Sequence, residues 1–168
     1  MAGAPCVVRS ADVDCTLRGP DTRRLREHGK DASPMSTTHS TGTLSGSVTS
    51  YAIWADDGRR LAEFYAAALG SEVGEPYPDK HGNEVAFPVT VGNAMYVFWT
   101  SSSFTAPAWP QQELPFHMDL AFPDVAAAEK RLLELGANKP DFQPGGEHWT
   151  VLLDPSGQPL CVSQAQPS

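Results

Sequence analysis

From residue 50 onward, short apolar runs alternate with amphipathic stretches, and they do so twice. "SYAIWA" (50–55) reads as a strand. "GRRLAEFYAAALG" reads as a helix, because Leu61, Phe64, Tyr65, Ala68 and Leu69 fall on one stripe. Asp56 or Asp57 can cap it, a side-chain oxygen accepting from the orphan amides of the first turn, and Gly70 ends it. After the loop "SEVGEPYPDKHGN" come the apolar runs "EVAFPVTV" and "AMYVFWT". Gly92-Asn93 between them signals a hairpin turn, and Pro88 predicts an edge or a bulge in the first run.

The second half repeats the order. "FHMDLAF" is a predicted strand, and Asp124 caps "VAAAEKRLLELG", with Ala128, Leu132 and Leu135 on one stripe. After the loop "ANKPDFQPGGEH", the runs "WTVLLD" and "PLCVS" flank the turn "PSGQ". Three landmarks support a duplication: Asp57 matches Asp124 at an offset of 67 residues, Gly70 matches Gly136 at 66, and Gly92 matches Gly157 at 65. The chain is therefore expected to be α+β: two βαβββ units, at about 48–100 and 115–165, joined by "SSSFTAPAWPQQELP".

Residues 1–47 show no sustained periodicity, and the Ser/Thr/Gly tract "STTHSTGTLSGS" reads as a flexible lead-in. Met35, just before that tract, is expected to be the natural initiator. Of the 168 residues, 40% are apolar, enough for a core in one domain. Residues 46–168 hold six Lys/Arg and fifteen Asp/Glu. Such an acidic surface repels phosphate backbones, so no nucleic-acid partner is expected. No run of eighteen apolar residues exists, so no membrane span is expected. With no secretory signal pattern and no zinc or redox spacing among Cys6, Cys15 and Cys161, a cytoplasmic location is the simplest expectation.

The segments "WADDGRRLAEFYAAALG", "FHMDLAFPDVAAAEKRLLELGA" and "DPSGQPLCV" resemble the two helix motifs and the last hairpin of the vicinal oxygen chelate superfamily. That superfamily comprises glyoxalases, bleomycin- and fosfomycin-resistance proteins and extradiol dioxygenases. The match spans about residues 48–165 and is most similar to the small glyoxalase-like branch. It implies a cupped, mixed, mostly antiparallel sheet with helices on its convex face. It also implies metal ligands, usually two His and two Glu, at matched strand positions on the concave face.

Strand alternation assigns the faces. Met118, Leu120 and Phe122 are apolar and should meet the helices, leaving His117, Asp119 and Ala121 in the cup. The 67-residue offset carries these onto Ser50, Ala52 and Trp54. Leu160 and Val162 should likewise face the helices, leaving Cys161 and Ser163 in the cup, and the 65-residue offset maps these onto Tyr96 and Phe98. The four family ligand positions then read Ser50, Tyr96, His117 and Cys161. Only His117 matches outright. A catalytic metal site wants three good protein ligands, so no cofactor is expected, with a divalent metal at His117 and Cys161 as the weaker alternative. A His117–Cys161 nucleophile pair lacks any sequence sign of activation. His117 beside Asp119 could polarise a carbonyl or shuttle a proton.

The expected site is an aromatic cup formed by Trp54, Tyr96 and Phe98, with His117, Asp119 and Cys161 as its polar groups. The expected function is binding of a small aromatic or oxygenated molecule, as resistance relatives do. The alternative is a lyase, isomerase or hydrolase using His117, with Asp119 and Cys161 assisting. A homodimer is expected, because single-domain relatives commonly dimerise and the linker exposes Phe104 and Trp109 unless something covers them.

Overall fold

The computed structural model describes residues 46–166. The Met35 start, and all of the expected flexible segment except residues 46 and 47, lie outside the described residues. The elements run β1 (Tyr51–Ala55), α1 (Gly58–Leu69), β2 (Tyr77–Pro78), β3 (Glu84–Val91), β4 (Ala94–Thr100), β5 (Met118–Phe122), α2 (Val125–Glu134), β6 (Trp149–Leu153) and β7 (Pro159–Gln164).

Each repeat makes its own sheet, in the orders β1-β4-β3-β2 and β5-β7-β6. The first strand of each repeat lies parallel to the last one, β1 on β4 and β5 on β7, and the remaining pairings are antiparallel. This is the α+β duplication expected from the sequence. The second repeat differs in one element. Where β2 pairs along β3, the chain beside β6 makes only an isolated bridge, Asn138 with Leu153. A side chain then stands in for the missing strand: the Gln143 amide accepts from Val151 N at 2.8 Å and donates to Val151 O at 2.9 Å. Pro88 lies inside β3 rather than on an edge strand, tolerated because the chain outside β3 pairs only through the two-residue β2 and an isolated Val73–Val89 bridge.

Asp57, not Asp56, caps α1 by accepting from Arg60 N, and Asp124 caps α2 by accepting from Ala127 N. Gly58 must be glycine for contact reasons, since a Cβ there would lie 2.7–2.8 Å from β4 backbone atoms. Gly58 N instead donates to Thr100 Oγ1, closing α1 onto its sheet.

One core joins the repeats. Ile53, Leu61, Phe64, Tyr65 and Phe98 from the first pack in the same cluster as Leu120, Leu132, Leu152, Leu160 and Val162 from the second. Burying each such side chain contributes about 1.5–3 kcal/mol. The turn after β6 is clipped to the first repeat by hydrogen bonds. Tyr65 OH donates to Asp154 Oδ2 at 3.1 Å, Ser156 Oγ to Asp56 Oδ1 at 2.8 Å, and Gln158 Nε2 to Trp54 O at 3.1 Å.

Candidate functional site

The helix-free face of the second sheet carries the chemistry. In β5, Leu120 is buried with Met118 and Phe122 packed against the core, so alternation turns His117, Asp119 and Ala121 to the opposite face. In β7, Leu160 and Val162 are fully buried, which turns Cys161 and Ser163 the same way. The parallel register sets Asp119 directly beside Cys161, and His117 lies two residues before Asp119. The three side chains converge: ligand atoms of His117, Asp119 and Cys161 lie within 4.8 Å of one another, and His117 Nε2 is 3.3 Å from Asp119 Oδ1.

Burial, followed by the neighbouring Asp119 carboxylate, pushes the Cys161 thiol up to about 11. It is therefore protonated at neutral pH. An activated cysteine needs the opposite shift, so the His117–Cys161 nucleophile pair has no electrostatic support.

These groups line a cavity of about 530 Å³, walled by Trp149 and Val151 of β6, Trp109 and Leu114 of the linker, and Pro144. Trp109 packs on Phe142, ring centroids 5.5 Å apart, and Phe104 lines a second hollow, so the chain itself half-buries the two linker aromatics expected to need a partner. Gly145 is the second glycine with a steric role: a Cβ there would stand 2.6 Å from the Trp149 ring. Gly145 thus lets this loop approach the indole that forms one wall.

The face of the first sheet is different, and it corrects two sequence assignments. Phe98 stacks on Tyr65 of α1, centroids 5.1 Å apart, and is 1% exposed. It belongs to the helix side, not the cup. Tyr96, two residues earlier in β4, shares that side, where it packs against the core and stacks on Tyr51. The error lies in the offset. Ile53 pairs with Phe98 and Leu120 pairs with Val162. Because Ile53 corresponds to Leu120, Phe98 corresponds to Val162, and the β4-to-β7 offset is 64. Gly92 begins a two-residue turn between Val91 and Ala94, whereas Gly157 lies late in a five-residue turn between Leu153 and Pro159. Aligning the two glycines slipped the strand by one residue, and one residue reverses every side chain. Cys161 therefore matches Val97, and Ser163 matches Trp99.

Trp54 does lie on the helix-free face, stacked on Trp99 at 6.5 Å. With Ala52 and Phe104 it lines the second hollow, of about 490 Å³. Leu114 and Pro159 line both hollows, which adjoin there. The expected single aromatic cup is thus two, with Trp54 in one and His117, Asp119 and Cys161 in the other. Trp149, two residues before Val151 in β6, shares its side, and both line the cavity. Sequence reading passes over Asp154, a carboxylate 4% exposed that burial raises to about 6.

Residues 50–163 match the family model described as "Glyoxalase-like domain". The chain belongs to that family. Among solved structures it is similar to the glyoxalase family protein from Enterococcus faecalis at 22% identity, covering 70% of this chain and 97% of that one, with a TM-score of 0.55. A possible glyoxalase from Bacillus cereus shares 12% identity over 71% of this chain and 99% of that one, with a TM-score of 0.53. A glyoxalase/bleomycin resistance protein/dioxygenase family enzyme from Burkholderia phytofirmans PsJN shares 16% over 70% and 98%, with a TM-score of 0.50. At these identities the likeness speaks for the fold. A comparison with curated proteins finds no match. No helix among the described residues is long and apolar enough to cross a membrane.

The sequence resemblance to the vicinal oxygen chelate superfamily implies a metal centre with donors from both repeats. The donor set here does not fit that arrangement. On the first repeat the matched positions are Ser50, Ala52, Val97 and Trp99, which offer a single hydroxyl. Every strong donor of the cluster comes from the second repeat.

Proposed function

We propose that this glyoxalase-like domain binds a small, planar, oxygen-bearing organic molecule in the cavity beside β5, β7 and β6, as a sequestering or sensing protein. The observation that carries the reading is the composition of that cavity: the indoles of Trp109 and Trp149 with one imidazole, one carboxylate and one thiol. Apolar walls with a few convergent polar groups are what small-molecule sites need. Rings stack on the indoles, and His117 hydrogen-bonds an oxygen. Binding of this kind requires no ion bridging the two repeats, no nucleic acid and no membrane, and it suits a cytoplasmic protein. A homodimer is part of the proposal. With Phe104 and Trp109 half-buried, its apolar contact surface is supplied instead by Trp54 and Phe116, 51% and 57% exposed.

The test is a thermal-shift screen of aromatic metabolites and antibiotics, followed by titration of any hit into wild type and His117→Ala. The variant should bind about 1–3 kcal/mol more weakly with its unfolding midpoint unchanged. Loss of stability with no change in binding would make His117 a structural residue and end the reading. The 3.3 Å His117–Asp119 pair favours a second reading, an isomerase or lyase in which His117 moves a proton. Turnover of a bound hit that disappears in both His117→Ala and Asp119→Asn would select it.

A further inference from the structure

We infer that the molecule this cavity takes is an organic cation, a ring compound whose ammonium or charged ring nitrogen is held by the Asp119 carboxylate beside the indoles of Trp109 and Trp149. The inference rests on the small-molecule reading above and adds the charge of the ligand to it. Asp119 is the one carboxylate of the lining, and no lysine or arginine among the described residues lines the cavity. Burial, and then the Asp119 carboxylate, raise the Cys161 thiol to about 11, so it stays protonated and adds no charge of its own. The bias extends beyond the lining. The segments that wall the cavity, residues 101–123 and 137–166, hold the carboxylates Glu113, Asp119, Asp141, Glu147 and Asp154 against a single basic side chain, Lys139. Lys139 is itself paired with Glu129 at 2.7 Å. Asp154 shares a smaller pocket with His117, which adds a second carboxylate to the local potential.

Each charge class of ligand meets this lining differently. A carboxylate or phosphate would lie against Asp119 with no basic side chain to offset the repulsion. A neutral ligand covers the Asp119 side chain, which is 73% exposed, and takes away its water without replacing it. A cation replaces that water with a charge-assisted hydrogen bond. It also gains from the two indoles, since tryptophan attracts cations more strongly than any other aromatic side chain. His117 and Asp119 then divide the recognition. The imidazole, 3.3 Å from the carboxylate, meets the oxygen of the ligand, and the carboxylate meets its nitrogen. A volume of about 530 Å³ is far more than one ammonium group fills, so the charge belongs to a larger molecule whose ring occupies the rest.

The test is calorimetric titration of the full chain, at pH 8 with chelator present, against compounds that share a ring and a two-carbon chain and differ in the end group. The phenol series is tyramine, 3-(4-hydroxyphenyl)propionamide and 3-(4-hydroxyphenyl)propionate. The indole series is tryptamine, indole-3-propionamide and indole-3-propionate. In at least one series the amine should bind about tenfold more tightly than the amide, with the propionate weakest. Added salt should weaken the amine and leave the amide unchanged. Asp119→Asn should remove the advantage of the amine, and Asp119→Lys should pass it to the propionate. Should the lysine variant fail to fold, the asparagine variant and the salt dependence decide. An amide or propionate that binds as tightly as its amine, or a preference for the amine that survives Asp119→Asn, overturns the inference and leaves the small-molecule reading standing. Failure of every compound in both series to bind overturns it too, and the screen of uncharged aromatic compounds then decides whether the small-molecule reading falls with it.

Discussion

The two repeats share a helix-facing side and differ on the opposite one. Ile53 and Phe98 of the first correspond to Leu120 and Val162 of the second, all four in one core. Asp57 and Asp124 cap equivalent helices. On the free faces, Ala52, Trp54, Val97 and Trp99 stand where the second repeat has Asp119, Ala121, Cys161 and Ser163. Packing restricts a core position to apolar residues of matching volume. The free faces are less buried, Val97 excepted, so the repeats diverge there, and only the second carries the His117, Asp119 and Cys161 cluster.

The comparison breaks first if the facing of β4 is wrong. Phe98→Ala should cost about 3–5 kcal/mol in urea unfolding, the price of a large buried ring. A cup-facing Phe98 would instead cost little stability and alter ligand binding.

The contact between the repeats is sharpened by pH. The folded-state value of Asp154, about 6, is above its ordinary 3.8. The native protein therefore takes up a proton that the unfolded chain does not bind until lower pH. The resulting stabilisation is full below about 3.8 and is lost as pH rises through 6, with a ceiling of about 3 kcal/mol. Urea unfolding should show stability rising from pH 7 to pH 5, and Asp154→Asn should flatten that rise. An unchanged slope in the variant would move the effect to another group.

Gln143→Ala probes the one element in which the repeats differ. Removing the amide leaves Val151 N and O without their partners and should destabilise the domain by about 1–2 kcal/mol. Hydrogen exchange at the Val151 amide should accelerate, while β3, which has a backbone neighbour in β2, stays protected. The smallest effect separates the two hollows. Trp149→Ala should weaken binding of a screened aromatic ligand by about 0.5–1.5 kcal/mol, and Trp54→Ala should leave it unaltered. Equal losses would mean that one ligand spans both.

Much of the fold was legible because it is written in local periodicity. The stripe from Leu61 to Leu69, the caps at Asp57 and Asp124 and the alternation of Met118, Leu120 and Phe122 each concern residues a turn or two apart. The same alternation aimed His117, Asp119 and Cys161 at one face. Tyr96 and Phe98 were misassigned because their facing depended on the lengths of two turns compared across 65 residues, where a single inserted position reverses the answer.

By itself, then, the chain determined the duplicated α+β order, the family and the facing of β5 and β7, since short-range sterics and the apolar pattern suffice for these. Only the tertiary structure decided that the parallel β5–β7 register sets Asp119 against Cys161. It alone also showed that Leu114 and Pro159 border two hollows rather than one, that Gln143 replaces a strand, and that Asp154 is buried under Tyr65. Each of these is a contact between segments distant in sequence, set by register and by loop paths on which no local periodicity bears.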